Sequence, residues 1–136
     1  MSGYMLDTNI ISDLIRNPDG APARRIERAG HQQICTSIIV AAELRYRCAK
    51  KGSPKLLAKV ESLLAAIAIL PLDAPADAEY GGFRAELEAV GLIVGQNDLL
   101  IAAHAYSLGL TLVTDNTREF GRIRGLKVEN WLERAD

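Results

Sequence analysis

A chain of 136 residues, 49% of them hydrophobic, is long enough to bury the core of one domain, and none of its apolar runs approaches the roughly 20 residues of a membrane span. A formal net charge of −1 and a pI of about 6.1 exclude a protein that coats nucleic acid through bulk positive charge, but not an enzyme that grips one RNA locally. The opening MSGYMLDTN lacks a basic stretch followed by an apolar one, so no signal peptide is expected. Cys35 and Cys48 form neither a CxxC pair nor a histidine-containing metal pattern, which points to reduced core thiols in a cytoplasmic protein.

In chain order, residues 3–6 are a short apolar run and predict a first strand. Apolar positions 10, 11, 14 and 15 follow at helical spacing, with Thr8 or Asn9 available as the cap. Asn17-Pro18-Asp19-Gly20 is a turn. Residues 21–29 predict a second helix with a basic edge, and 33–36 a second strand. Ser37 is placed to cap a helix over 38–51, which Gly52-Ser53-Pro54 ends. An amphipathic helix over 55–66 pairs antiparallel with it. Residues 67–70 form a third strand, closed by Pro71. A long helix over 76–90 carries Tyr80, Phe83, Leu87 and Val90 along one side, and residues 91–95 are a loop.

The most informative stretch is Gly95–Asn116, GQNDLLIAAHAYSLGLTLVTDN. It sets Asp98 at the start of an apolar helix that Gly109 stops, then a buried strand over 110–114 ending in Asp115. A helical turn over 117–120 and an edge strand over 126–128 follow, with Trp131 and Leu132 packing the tail. Strands alternating with helices along 1–136 indicate one α/β domain with a mainly parallel sheet.

Topology then gathers acids. Asp7 and Asp115 sit just past strand ends, Asp98 starts a helix that feeds one of those strands, and Glu43 lies one to two turns into a helix that follows another. Ligands of open α/β sheets bind at the carboxyl ends of strands. Taken singly, Asp98 is an ordinary N-cap, Asp115 a turn acid and Glu43 a solvated helix residue. Brought together, such carboxylates repel unless a cation intervenes. Oxygen ligands without a Cys/His cluster suit Mg²⁺ or Mn²⁺ rather than zinc. The chemistry natural to such a centre is phosphodiester hydrolysis, by one metal or by a pair ~3.5–4 Å apart.

The ordered set Met5-Leu6-Asp7-Thr8-Asn9, Val40-Ala41-Ala42-Glu43-Leu44, Asp98-Leu99-Leu100-Ile101-Ala102-Ala103-His104-Ala105 and Val113-Thr114-Asp115-Asn116 with Glu119-Phe120 resembles PIN-domain proteins. It is most similar to the VapC-type toxins of bacterial toxin–antitoxin pairs and to the related FitB-like proteins, over essentially the full chain. The resemblance implies a PIN-like fold and a Mg²⁺- or Mn²⁺-dependent endoribonuclease, with tRNA the first substrate to test. It also implies a homodimer held inactive by a VapB-like antitoxin. Carried over, Asp7 and Asp98 are the main metal ligands and Glu43 the third acid. Asp115 completes the quartet, a role Asn116 shares or replaces because the family varies there. Thr8, Asn9 and Asn116 orient a metal-bound water or the substrate.

Other residues have plainer expectations. His104, mid-helix, is a core or interface histidine rather than a base. Arg45, Arg47, Lys50 and Lys51 form a basic cluster after Glu43, either a solvated face or a holder of phosphates or of an acidic partner. The apolar helices between Ser37 and Ala66 exceed what a small core covers, which suits a dimer or antitoxin surface. A receiver-type domain lacks support, because Asp7 has no adjacent acidic partner. The other alternative is a non-catalytic PIN-like binding module that acts only through a protein partner.

Overall fold

The computed structural model describes residues 3–132; positions 1–2 and 133–136 of the expected domain lie outside the described residues. Its strands are β1 (Tyr4–Leu6), β2 (Ile34–Ser37), β3 (Ala68–Leu70), β4 (Thr111–Val113) and β5 (Val128–Glu129). They form one sheet ordered β3-β2-β1-β4-β5, and every pairing is parallel. The order reverses direction at β1, which pairs with β2 on one side and β4 on the other. Helices α1 (Thr8–Arg16), α2 (Ala21–Ala29), α3 (Ile38–Lys51), α4 (Pro54–Ala66), α5 (Ala76–Ala89), α6 (Gln96–Ser107) and α7 (Thr117–Phe120) provide the crossovers. A sheet of this kind is covered on both faces, which is why Met5, Leu6, Leu112 and Val113 are all fully buried.

Local chemistry sets most boundaries. Gly52 ends α3 in the left-handed conformation (φ 65°), and Ser53 then caps α4 through a bond from the Leu56 N–H at 3.2 Å. Pro54, expected only as part of the stop, is therefore the first residue of α4, where its missing N–H costs nothing. The residue expected to cap α1 also changes. Asp7 itself is the cap, not Thr8 or Asn9, and the helix begins at Thr8. Likewise α6 begins at Gln96 with Gly95 as its cap, so Asp98 stands third in the helix and is not an N-cap. Strand β4 is shorter than residues 110–114, β5 is shifted to Val128–Glu129, and a 3-10 turn at His31–Gln33 precedes β2. Along α5, Phe83 and Leu87 are buried as expected, whereas Val90 lies past the helix end and is 69% exposed.

His104 is a core residue, 1% exposed on α6. Its Nδ1 lies 2.8 Å from the Ser37 hydroxyl, which also accepts the Ile39 N–H at 3.1 Å to cap α3. The Ser37 hydroxyl and Nδ1 share one hydrogen, and the tautomer of the ring sets which of the two donates it. Nε2 is buried near the Pro71 backbone without a hydrogen bond of ordinary geometry. Burial holds the imidazole below its usual pKa, so it stays neutral. Cys35 and Cys48 are free and buried, and burial lifts the Cys35 thiol to about 11. The apolar excess expected between Ser37 and Ala66 appears as exposed Ile38, Tyr46 and Leu57.

Ser37→Ala removes a helix cap and strands the His104 Nδ1 in the core at once. It should lower unfolding stability by about 1–3 kcal/mol, read as a lower midpoint with unchanged slope in urea denaturation.

Candidate active site

The backbone N–H of Asp7 bonds the Val113 carbonyl at 2.9 Å, so the residue stands where β1 and β4 end side by side. Its backbone is extended (φ −81°, ψ 168°), and its carboxylate turns back over α1 to accept the Thr8 N–H at 2.8 Å. From the β4 side, the buried Thr114 hydroxyl donates to Asp7 Oδ2 at 2.8 Å. Asp7 is only 4% exposed. Burial raises its proton affinity, and the bonds from Thr114 and Thr8 oppose that rise.

Three further carboxylates act on this one or on each other. Glu43, on the second turn of α3, is half-buried, and its Oε1 lies 3.5 Å from the Thr8 hydroxyl. Burial and then the Asp7 charge hold its pKa above the usual range. Asp98 rises furthest, to about 7, through burial, the charge of Asp7, and a proton shared with Glu119. For Glu119 itself, burial alone would raise the pKa. Bonds from Asn116 and the Gly95 N–H outweigh it, so Asp98 keeps the shared proton. Glu119 Oε1 takes the Gly95 N–H at 3.1 Å and Oε2 the Asn116 side-chain amide at 3.1 Å.

The residues expected to form the site therefore divide. Asp7, Glu43 and Asp98 come together. Asp115 is at the same sheet edge, and its charge raises Asp7, yet its side chain is exposed and, among the described residues, makes no hydrogen bond; its N–H donates to Asn9 Oδ1 at 3.1 Å. Asn9 and Asn116 serve as ties within the cluster. Asn9 Nδ2 reaches Thr114 Oγ1 at 3.4 Å and Asp7 Oδ2 at 3.5 Å, and the Asn116 N–H reaches Thr114 Oγ1 at 3.1 Å. Two residues were not singled out from sequence. Glu119 acts on Asp98 through a side-chain hydrogen bond and its charge, and Thr114 clamps Asp7. The available signals were a hydroxyl at the end of an apolar strand and an Asn-x-x-Glu spacing typical of a helix start.

All donors here are oxygens, the set that suits a hard divalent cation. Among the described residues no three Asp, Glu, His or Cys side chains close into a ready-made metal cage. Magnesium does not need one, because it keeps several waters and takes one or two carboxylates. Burial is the first cause of these raised proton affinities and neighbouring carboxylate charge adds to it; a bound cation would offset both, so it fits the residues present. Asp7 and Asp98 are placed to hold it, with Glu43 and Glu119 beside them.

An α/β domain of parallel topology, with an acid cluster at the point where strand order reverses, is thus a candidate metal-dependent hydrolase. Residues 4–126 match the PIN domain family, and the chain belongs to it. It is 42% identical over 134 residues to Ribonuclease VapC2 of Haemophilus influenzae, covering 97% of this chain and 100% of that one. It is 40% identical to the tRNA(fMet)-specific endonuclease VapC of Shigella flexneri, covering 96% and 99%. The structure superposes with a TM-score of 0.88 on the DNA-bound VapBC crystal structure from Salmonella typhimurium, at 38% identity and with 96% and 99% covered.

The elevated Asp98 pKa has a definite sign for stability. A carboxyl with a folded pKa of about 7 against an unfolded value near 3.8 binds more protons folded than unfolded between those limits. Metal-free stability should therefore fall as pH rises from about 4 to about 7, and stay low above. Asp98→Asn removes that penalty. The metal-free variant should melt roughly 3–8 °C higher than the parent at pH 8 and no higher at pH 4, measured by calorimetry.

Proposed function

We propose that this chain is a VapC-type toxin, a Mg²⁺- or Mn²⁺-dependent endoribonuclease that hydrolyses RNA phosphodiester bonds at the Asp7–Glu43–Asp98 cluster. The reading rests on one observation above all: three carboxylates of raised proton affinity share the β1–β4 edge of a PIN domain. Relatives named as ribonucleases, similar over nearly the whole chain, support the activity, and one named for tRNA(fMet) makes tRNA the first substrate class to test. The VapBC complex supports a VapB-like antitoxin as protein partner. The proposal includes a homodimer and a cytoplasmic setting; among the described residues no helix is long and apolar enough to cross a membrane.

When bound, the cation would lower the pKa of a coordinated water and offset charge building on the scissile phosphate. The chain's own residues do the rest. Asp7 and Asp98 supply the ligand oxygens, and Thr114 with the Thr8 N–H fixes the orientation of Asp7. Glu43 and Glu119 flank the ligands and are placed to accept a proton from water. Asn116 holds Glu119 in place, and Asn9 ties the segment after β4 to the start of α1.

Purified, antitoxin-free protein should cut bulk cellular RNA into discrete products with Mg²⁺ and leave it intact in EDTA. Asp7→Asn and Asp98→Asn should each lose at least ~100-fold in rate with the fold retained. Wild-type activity in either variant would sink the assignment, and intact RNA with well-folded wild-type protein would favour the binding module. Glu119→Gln should cost more than Asp115→Asn, which is expected to stay within about tenfold of wild type. Since protons compete with metal at Asp98, Mn²⁺ affinity should rise with pH and level off above about 7, read by isothermal calorimetry.

A further inference from the structure

The basic cluster after Glu43 is not one uniform face. Arg45 is committed to Glu61, with two hydrogen bonds of 2.8 and 2.9 Å across to α4. Among the described residues Arg47, one helical turn beyond Glu43, makes no ion pair or hydrogen bond although it is exposed. It lines a groove of about 620 Å³ between α1, α3 and α4, together with Arg16, Lys50 and Lys51. Among the described residues no acidic side chain lines that groove.

The groove leads away from the carboxylates. On α1, positions 8, 12 and 16 follow one face at four-residue spacing, and on α3, positions 43, 47 and 51 do the same. Thr8 and Glu43 meet at the acid end, while Ser12, Arg16, Arg47 and Lys51 line the groove further along. The Arg47 charge is near enough to lower the proton affinities of both Asp7 and Glu43. Four cations without acidic partners, in a molecule of net charge −1, are a local exception to its overall balance. A polyanion whose cleaved bond lies at the acid cluster is the ligand that would meet both features.

We propose that Arg47 is a positioning residue for the RNA strand, gripping a backbone phosphate one helical turn from Glu43, and that Arg16, Lys50 and Lys51 continue the track along the α1–α3 groove. The inference rests on the nuclease reading and adds the path of the substrate to it.

The test uses the full-length Asp98→Asn protein with Mg²⁺, so that RNA binds without being cut, and fluorescein-labelled bulk tRNA followed by anisotropy from ~50 to ~200 mM KCl. Adding Arg47→Gln should weaken binding roughly three- to tenfold and reduce the slope of log affinity against log salt by about one. Arg47→Lys should recover most of the slope, and Arg45→Gln, whose residue is already paired, should leave affinity and slope unchanged. Weaker binding with an unaltered slope would overturn the phosphate contact. Parental affinity and slope in Arg47→Gln would overturn the inference alone and leave the groove to a protein partner. If the Asp98→Asn protein binds no RNA at all, the nuclease reading falls and takes this inference with it.

Discussion

The burial of the Asp7 carboxylate is the constraint on which the centre of this structure depends. An ionised group that is 4% exposed needs partners, and they come from separate parts of the chain: the Thr8 N–H from the start of α1 and the Thr114 hydroxyl from the end of β4. Satisfying one carboxylate thus caps a helix and pins two neighbouring strand ends in register. Asn9 adds a second tie, accepting the Asp115 N–H and so drawing the segment after β4 over the start of α1. The topology makes this junction available, because β1 is the strand at which the order of the sheet reverses.

Around that anchor the remaining acids are held with less support. Glu43 has a single long contact to Thr8, and Asp98 keeps a proton that Glu119 helps to hold. Their raised proton affinities measure how far the cluster departs from what folding alone would favour. A structure selected only for stability would have placed amides or apolar groups at these positions. The acids lie at helix starts and strand ends, where side chains are carried by rigid elements yet open toward solvent. That combination suits a site that exchanges a proton for a cation.

Much of this was legible in the sequence because the governing patterns are local. Apolar runs ending in Asp7 and near Asp115, and helical periodicity around Glu43 and Asp98, were enough for the parallel α/β architecture and for three of the clustered acids. The errors are also local in origin. Asp7 was passed over as the cap of α1 since a strand-end acid and an N-cap are the same residue here, and hydroxyl-bearing Thr8 looked the better candidate. Asp98 stands in the first turn of α6 as expected; only the plainer reading of it as the N-cap fails, because Gly95, three residues earlier, takes that place. The sequence alone assigns no role to Glu119. On a four-residue helix an acid has the pattern of a solvated turn, and only the folded chain brings it to Asp98. Asp115 shows the converse: a strand-end position predicted proximity correctly, but its side chain faces solvent while its neighbour Thr114 faces the site.

That alternation between Thr114 and Asp115 bears on how the fourth acidic position works. Thr114 follows the end of β4 with its hydroxyl on Asp7, and the chain then bends at Asp115, whose side chain is exposed. The chain uses Thr114 as the inward group and brings the next carboxylate to the site at Glu119, within α7. Asn116, between them, bonds both, with its backbone on Thr114 and its side chain on Glu119. The carboxylate near Asp98 is consequently positioned by a relay of hydrogen bonds of 3.1 Å instead of by the strand itself. The buried Asp7 and the part-exposed Glu119 are thereby joined through Thr114 and Asn116.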